Sequence, residues 1–197
     1  EEAVPNYTEE EVTLNWCIVL MGHVAALIDE IVRRYGRTVV RRKIELQNLA
    51  SYRIGLSLTA DEFVQAKGKW LQLGFQMAQF LRNYNMILTP TLGEPPVLVG
   101  SQRPSKTDQL TMKLIISWIG KLILGNSRIK NFVLNELSQN VMKRQMPFTL
   151  IANITGQPAM SVPLHWTEEG LPCGVQFIGR FGDESSLLRL AAQLETA

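Results

Sequence analysis

Cysteine and histidine are scarce in this chain of 197 residues, with two of each. Cys17 and Cys173 stand far apart and match no metal spacing. They read as two free thiols of a cytoplasmic protein, and no metal or cofactor is expected. Neither His23, on an apolar helical stretch, nor His165, after a strand-like run, has a partner at triad or metal spacing. A net charge of +2, without a basic stripe of interleaved aromatics, gives no case for nucleic acid. No uninterrupted apolar run approaches the roughly 20 residues of a membrane span, and no signal peptide is visible. Internal repeats and low-complexity tracts are missing too. The length suits one domain, or one with a small appendage.

Helical period dominates the first two thirds. Thr8 and Glu11 have capping-box spacing for a helix from about Glu9 to Tyr35. Val12, Trp16, Val19, Leu20, His23, Leu27 and Ile31 share its expected apolar face. Arg37 to Lys43 carries four cations, read as a solvated helix start or loop rather than an anion site. Ile44–Leu56 continues helically. Thr59 and Glu62 open another helix, with Phe63, Trp70, Met77 and Tyr84 repeating along it. Thr107 or Asp108 is expected to cap a helix reaching Leu124, with Met112, Ile115, Ile116, Ile119 and Leu122 inward. Trp118 and Ile123 lie off that stripe, so this helix is apolar nearly all round. A helix over about 127–140 should turn Ile129, Phe132, Val133 and Leu137 inward, and an Asp183-capped helix closes the chain.

Phe148–Arg180 is the most punctuated stretch. Pro147, Gly156, Pro158, Pro163, Gly170, Pro172, Gly174 and Gly179 bound two apolar runs, Ala159–Pro163 and Gly174–Ile178, which read as buried strands. Met86–Thr89, cut by Pro90, reads as a third short buried strand. Thr167–Gly170 reads as an exposed turn.

Metal-free amide chemistry needs a nucleophile, a base and an oxyanion hole. Ser185-Ser186 lies in the first turn of a helix without flanking glycines and reads as helix-start serines. Ser161 falls within a strand and reads as a satisfied core hydroxyl. Lys121, in an apolar setting, is explained by snorkelling.

NITGQPAMSVP (153–163), followed by GLPCGVQFIGRFGDESSLLRLAAQLE (170–195), resembles the C-terminal end of the amidase signature hydrolases. YNMILTPT (84–91) resembles the same family's strand ending in Thr-Pro-Thr. The order and spacing of the blocks agree, and the resemblance runs from about Tyr52 to Glu195. Within the family, PFTLIANITGQPAMSVPLHW is most similar to the 6-aminohexanoate cyclic-dimer hydrolase group.

The resemblance implies an α/β fold, the C-terminal part of the amidase signature fold, with several long helices packed on a small part of a mixed β-sheet. Residues 8–83 would be the helical part and 84–197 the sheet-containing part of a single amidase domain. It implies a triad of Ser, a second Ser in a cis peptide, and Lys, carried on an upstream Gly/Ser-rich signature. No Gly-Gly-Ser-Ser-Gly-type run exists here. The expectation is therefore a C-terminal fragment without its catalytic part, inactive alone and holding no catalytic residue. By resemblance Phe148 and Ile151 would line the acyl cavity, Thr155 would offer it a polar group, and Thr89 and Thr91 would border the substrate entrance. For Thr155 a plain ST turn is an equal reading, and for Asn153 an Asx turn is favoured. The implied partner is a small-molecule amide, with neither nucleic acid nor membrane, and the all-round apolar 107–124 helix suggests a homodimer contact. Two rival readings are an amidotransferase subunit feeding ammonia to a tRNA-modifying partner, and a non-enzymatic helical interaction module.

Overall fold

The computed structural model describes residues 3–94, 96–101, 103–144, 146 and 148–196, and the side chains of all these except 140–144. Pro147 therefore lies outside the described residues. The helices are α1 (Glu9–Tyr35), α2 (Arg37–Lys43), α3 (Leu46–Gly55), α4 (Ala60–Phe80), α5 (Lys106–Ile116), α6 (Trp118–Leu124), α7 (Ser127–Arg144), α8 (Thr149–Thr155) and α9 (Glu184–Leu194). The strands are β1 (Ile87–Pro90), β2 (Ala159–Trp166) and β3 (Pro172–Ile178). By contacts the chain forms two compact units. A helical unit comprises Leu14–Lys67 and Val99–Ser138, and a sheet-bearing unit comprises Glu1–Thr13, Gly68–Leu98 and Gln139–Ala197.

A core cluster of the helical unit joins Met21, Ile54, Leu124 and Leu134. Helix α1 has the expected bounds, and Val12 and Val19 of its expected face are buried, but the rest of the buried side is Thr13, Cys17, Met21, Ala25 and Ile28, while His23 and Leu27 are exposed. An α1 that is apolar on most sides does not announce which face turns inward; the small side chains of Thr13, Cys17 and Ala25 mark the side that permits close approach. Burial pushes the Cys17 thiol up to about 12, which makes it an inert packing group. By length and composition α1 could cross a membrane, although Asn15 and His23 interrupt the run; core helices of soluble proteins pass the same test.

The Thr59 box forms as expected: the Glu62 amide donates to Thr59 Oγ1 at 3.2 Å, and the Thr59 amide donates to the Glu62 carboxylate at 2.8 Å. The expected single helix to Leu124 is instead two helices. Ser105, not Thr107 or Asp108, caps α5, with Asp108 returning the bond. Ser117 is extended (φ −65°, ψ 172°), bonds the Leu114 carbonyl at 2.6 Å and caps α6 through the Gly120 amide. A Cβ at Gly120 would meet the Ile115 carbonyl oxygen at 2.1 Å, so the corner requires glycine there. The break turns Gly120 and Leu124 inward and leaves Ile119 and Leu122 exposed, contrary to the expected stripe, while Trp118, expected off that stripe, is 71% exposed.

Helix α7 also differs from expectation. Val133 and Leu137 pack against the core as expected, but Lys130, Leu134 and Ser138 are the buried residues, while Ile129 and Phe132 are exposed. The reason is an ion pair: Lys130 Nζ lies 2.6 Å from both oxygens of Glu62 and 3.2 Å from the Ser57 carbonyl. A lysine with three acceptors can face inward, and the hydrophobic stripe rotates with it.

In the sheet-bearing unit the strand order is β1-β3-β2, all antiparallel. Only central β3 is well buried, at Gln176, Phe177 and Ile178. β2 is an edge strand that runs on to Trp166, with a register shift between Pro163 and His165, and Ser161 is exposed. The buried-strand readings of Ala159–Pro163 and of Met86–Thr89 and the core-hydroxyl reading of Ser161 are thus corrected: β1 and β2 are each paired on one side and keep much of their surface in solvent, with Leu88 exposed.

Candidate substrate-facing site

The register sets Thr89 opposite Gln176 and Gln176 opposite Ser161, so three strands contribute one row of polar side chains to one sheet face. Gln176 is 5% exposed. A buried carboxamide must find partners. Its nitrogen donates to Thr89 Oγ1 at 3.1 Å and to the Phe148 carbonyl at 3.2 Å, tying the start of α8 to the sheet. Two residues along β3, the Thr91 amide donates to the Gly174 carbonyl at 2.9 Å. Thr91 Oγ1 and Ser161 Oγ then meet at 2.6 Å across the middle strand. A Cβ on Gly174 would stand 2.7 Å from both hydroxyl oxygens, so the bridge exists because position 174 has no side chain. Replacing Gly174 by alanine is expected to cost about 1–3 kcal/mol in urea unfolding, with Ser161→Ala in the same chain recovering part of the loss.

Helix α8 buries Leu150, Ile151, Ala152 and Ile154 and stops at Gly156, whose φ of 75° and ψ of 14° are left-handed. The Gly156 amide donates to the Ala152 carbonyl at 2.9 Å. The Thr155 hydroxyl is shared between the Ile151 carbonyl, 2.8 Å away, and the side-chain oxygen of buried Gln157. Asn153 bonds back to the Thr149 carbonyl at 2.9 Å. Arg180 fastens the end of β3 to the approach to β1, donating to the carbonyls of Leu81 at 2.9 Å and Tyr84 at 3.2 Å.

Of the five residues the resemblance singles out, Thr89, Thr91 and Phe148 meet around Gln176 and Gly174. Ile151 is 6% exposed within α8, and Thr155 sits at its end. Gln176, Ser161 and Gln157 complete the arrangement and were not singled out for it. The available signal was a glutamine inside GVQFIG, since a polar residue in an apolar strand needs a stated partner.

The row can give and accept hydrogen bonds. Ser161 is partnered by a second hydroxyl, not by a group that would take its proton. The Ser185 and Ser186 hydroxyls donate to Asp183 Oδ1 at 3.2 and 2.8 Å in the first turn of α9. The Ser186 bond holds the Asp183 carboxyl below its usual range. That is a helix-start network. Among the described residues no group of three or more His, Cys, Asp or Glu side chains could hold a metal ion.

Residues 127–188, from α7 into α9, match the amidase family. Over 201 residues the chain is 26% identical to the putative amidase AmiC of Mycobacterium leprae, covering all of this chain and 35% of that protein. Over 54 residues it is 46% identical to the 6-aminohexanoate-cyclic-dimer hydrolase of Pseudomonas sp. (strain NK87), covering 27% of this chain and 11% of that one. A solved structure of 6-aminohexanoate cyclic dimer hydrolase complexed with substrate shares the fold, with a TM-score of 0.72 at 19% identity over all of this chain and 37% of that chain. The chain thus spans about a third of the length of AmiC. The family match and the relatives agree with the resemblance to the C-terminal portion of the amidase signature family, and the fold is shared with the corresponding part of 6-aminohexanoate cyclic dimer hydrolase.

Proposed function

We propose that this chain is the substrate-facing wall of an enzyme that hydrolyses the carbon–nitrogen bond of a small linear or cyclic amide. The acyl-enzyme forms on a serine, with a second serine in a cis peptide and a lysine as ultimate base, all on polypeptide outside these residues. Phe148 supplies apolar surface backed by buried Ile151, Thr155 a hydroxyl held in place by the Ile151 carbonyl and Gln157, and Thr89 and Thr91 the rim. The observation that carries the reading is the amidase match over 127–188, which spans α8 and the two strands that build most of the polar row. The bonding of Ser161 to Thr91 rather than to a base supports placing the nucleophile elsewhere.

The test follows the chemistry. The 197-residue chain, given simple linear and cyclic amides, is expected to release neither ammonia nor amine above the blank. Turnover by this chain that is lost when Ser161, or Ser185 with Ser186, is replaced would refute the assignment of the reaction to missing residues. In the full-length protein, Gln176→Leu is expected to lower kcat/KM about tenfold, because Thr89 and the Phe148 carbonyl lose their common donor. No change would remove the row from the substrate wall.

A further inference from the structure

We propose that the helical unit carries a separate binding site, a cationic cavity for an oxyanion bearing a short aliphatic tail, such as an alkyl carboxylate or an alkyl phosphate. It draws on that unit alone and does not rest on the amide hydrolase reading. Arg37 and Arg41 of α2, Arg53 of α3 and Lys121 of α6 line one cavity of about 350 Å³. The cavity lining contains no acidic residue. A chain whose net charge is only +2 has therefore gathered four cations at one place. Like charges held together repel, and an anion among them removes the penalty.

The local bonding leaves those cations available. Among the described residues Arg37, Arg41 and Lys121 make no ion pair or side-chain hydrogen bond. Asp29, a potential competitor, accepts the Tyr52 hydroxyl at 2.6 Å. Arg53 is preset, donating from one terminal nitrogen to the Ile116 carbonyl at 3.1 Å, at the α5 end. Guanidinium groups bind carboxylate and phosphate oxygens through paired donors, which suits an oxyanion better than a chloride ion.

The tail follows from the rest of the lining. Val32, Leu49, Leu56 and Ile116 share the cavity with the cations. An adjoining opening, using Arg41, Leu49, Arg53, Ile116 and Lys121 again, continues towards exposed Trp118. A ligand with a charged head and an aliphatic chain satisfies both kinds of surface, whereas bare phosphate uses only one.

Titration calorimetry of the 197-residue chain with hexyl phosphate, hexanoate and inorganic phosphate at low salt decides the matter. Saturable one-to-one binding of a six-carbon anion is expected, about tenfold tighter than inorganic phosphate and weakening as salt rises. The tighter of the two tailed anions names the head group. Arg41→Ala and Lys121→Ala, which remove no side-chain hydrogen bond, should each weaken binding about tenfold at unchanged melting temperature. Arg128→Ala, which removes the same charge from outside the cavity, should leave it unchanged. Absence of saturation by both tailed anions, affinity equal to that of inorganic phosphate, or equal losses in Arg128→Ala and Arg41→Ala would each overturn the proposal.

Discussion

Gly55→Ala is expected to cost about 3 kcal/mol or more and to lower the melting temperature by roughly 10 °C. Gly55 ends α3 where it crosses α1. A Cβ there would lie 2.1 Å from the Met21 carbonyl oxygen and 2.8 Å from the Ala25 Cβ. The first obstacle is backbone in the middle of a 27-residue helix, so it cannot swing aside as a side chain would. Relief requires the two helices to separate, which loosens Met21 and Ile54, both core residues of the helical unit. In an unstrained helix alanine would be the better residue by about 1 kcal/mol, so the sign of the measured change is itself diagnostic. Urea unfolding that finds Gly55→Ala neutral or stabilising would show that the helices do not meet this closely. Gly68, with nothing within 4 Å of its would-be Cβ, is the control: Gly68→Ala should stabilise by a few tenths to about 1 kcal/mol.

The second large effect is at the Lys130–Glu62 pair. Glu62→Ala is expected to cost about 3 kcal/mol, and Lys130→Met about half of that. The asymmetry comes from what each deletion leaves behind. Without Glu62, an ammonium that is 6% exposed retains only the Ser57 carbonyl, and the Thr59 box is lost as well. Without Lys130, a carboxylate that is 27% exposed keeps the Thr59 amide and some water. Replacing both together should be milder than Glu62→Ala alone, because no buried charge is then stranded.

Acid gives an independent check on the pair. Burial alone would raise the Glu62 carboxyl, but the hydrogen bonds from Lys130 and the Thr59 amide together outweigh it, and the group ends below its ordinary value of 4.5. A lowered carboxyl stabilises the fold above its unfolded pKa and loses that contribution as pH falls through the folded one. The stability gap between the native chain and Lys130→Met should therefore be full at pH 7 and should shrink below about pH 4.5. A gap that stays constant to pH 3 would mean the pair contributes nothing through its charge.

Much of the framework was legible because short-range rules carry it. The bounds of α1, the Thr59–Glu62 box and the places of three short strands follow from capping residues and period, although Pro90 and Pro163 lie within their strands and β2 runs on past Pro163. Direction was less legible. Helices α1 and α7 are apolar or mixed on several sides, and the inward face is decided by partners distant in sequence: Lys130 turns in because Glu62 lies 68 residues away. The Ser117 corner was hidden for a related reason, since a serine cap can interrupt an apolar run without a proline or a change of period. In the site, Thr89, Thr91 and Phe148 were reached through resemblance to a family. Their common partner Gln176 and the hydroxyl bridge over Gly174 depend on antiparallel register, which no single strand encodes.

The proposed division of labour, with wall residues here and the reacting serine elsewhere, is tested most directly by covalent labelling of the full-length protein with a serine-reactive fluorophosphonate, followed by peptide mass mapping. The proposal predicts one labelled serine outside these 197 residues and protection of that serine by an amide substrate. A label on Ser161, Ser185 or Ser186, lost when amide is present, would contradict it.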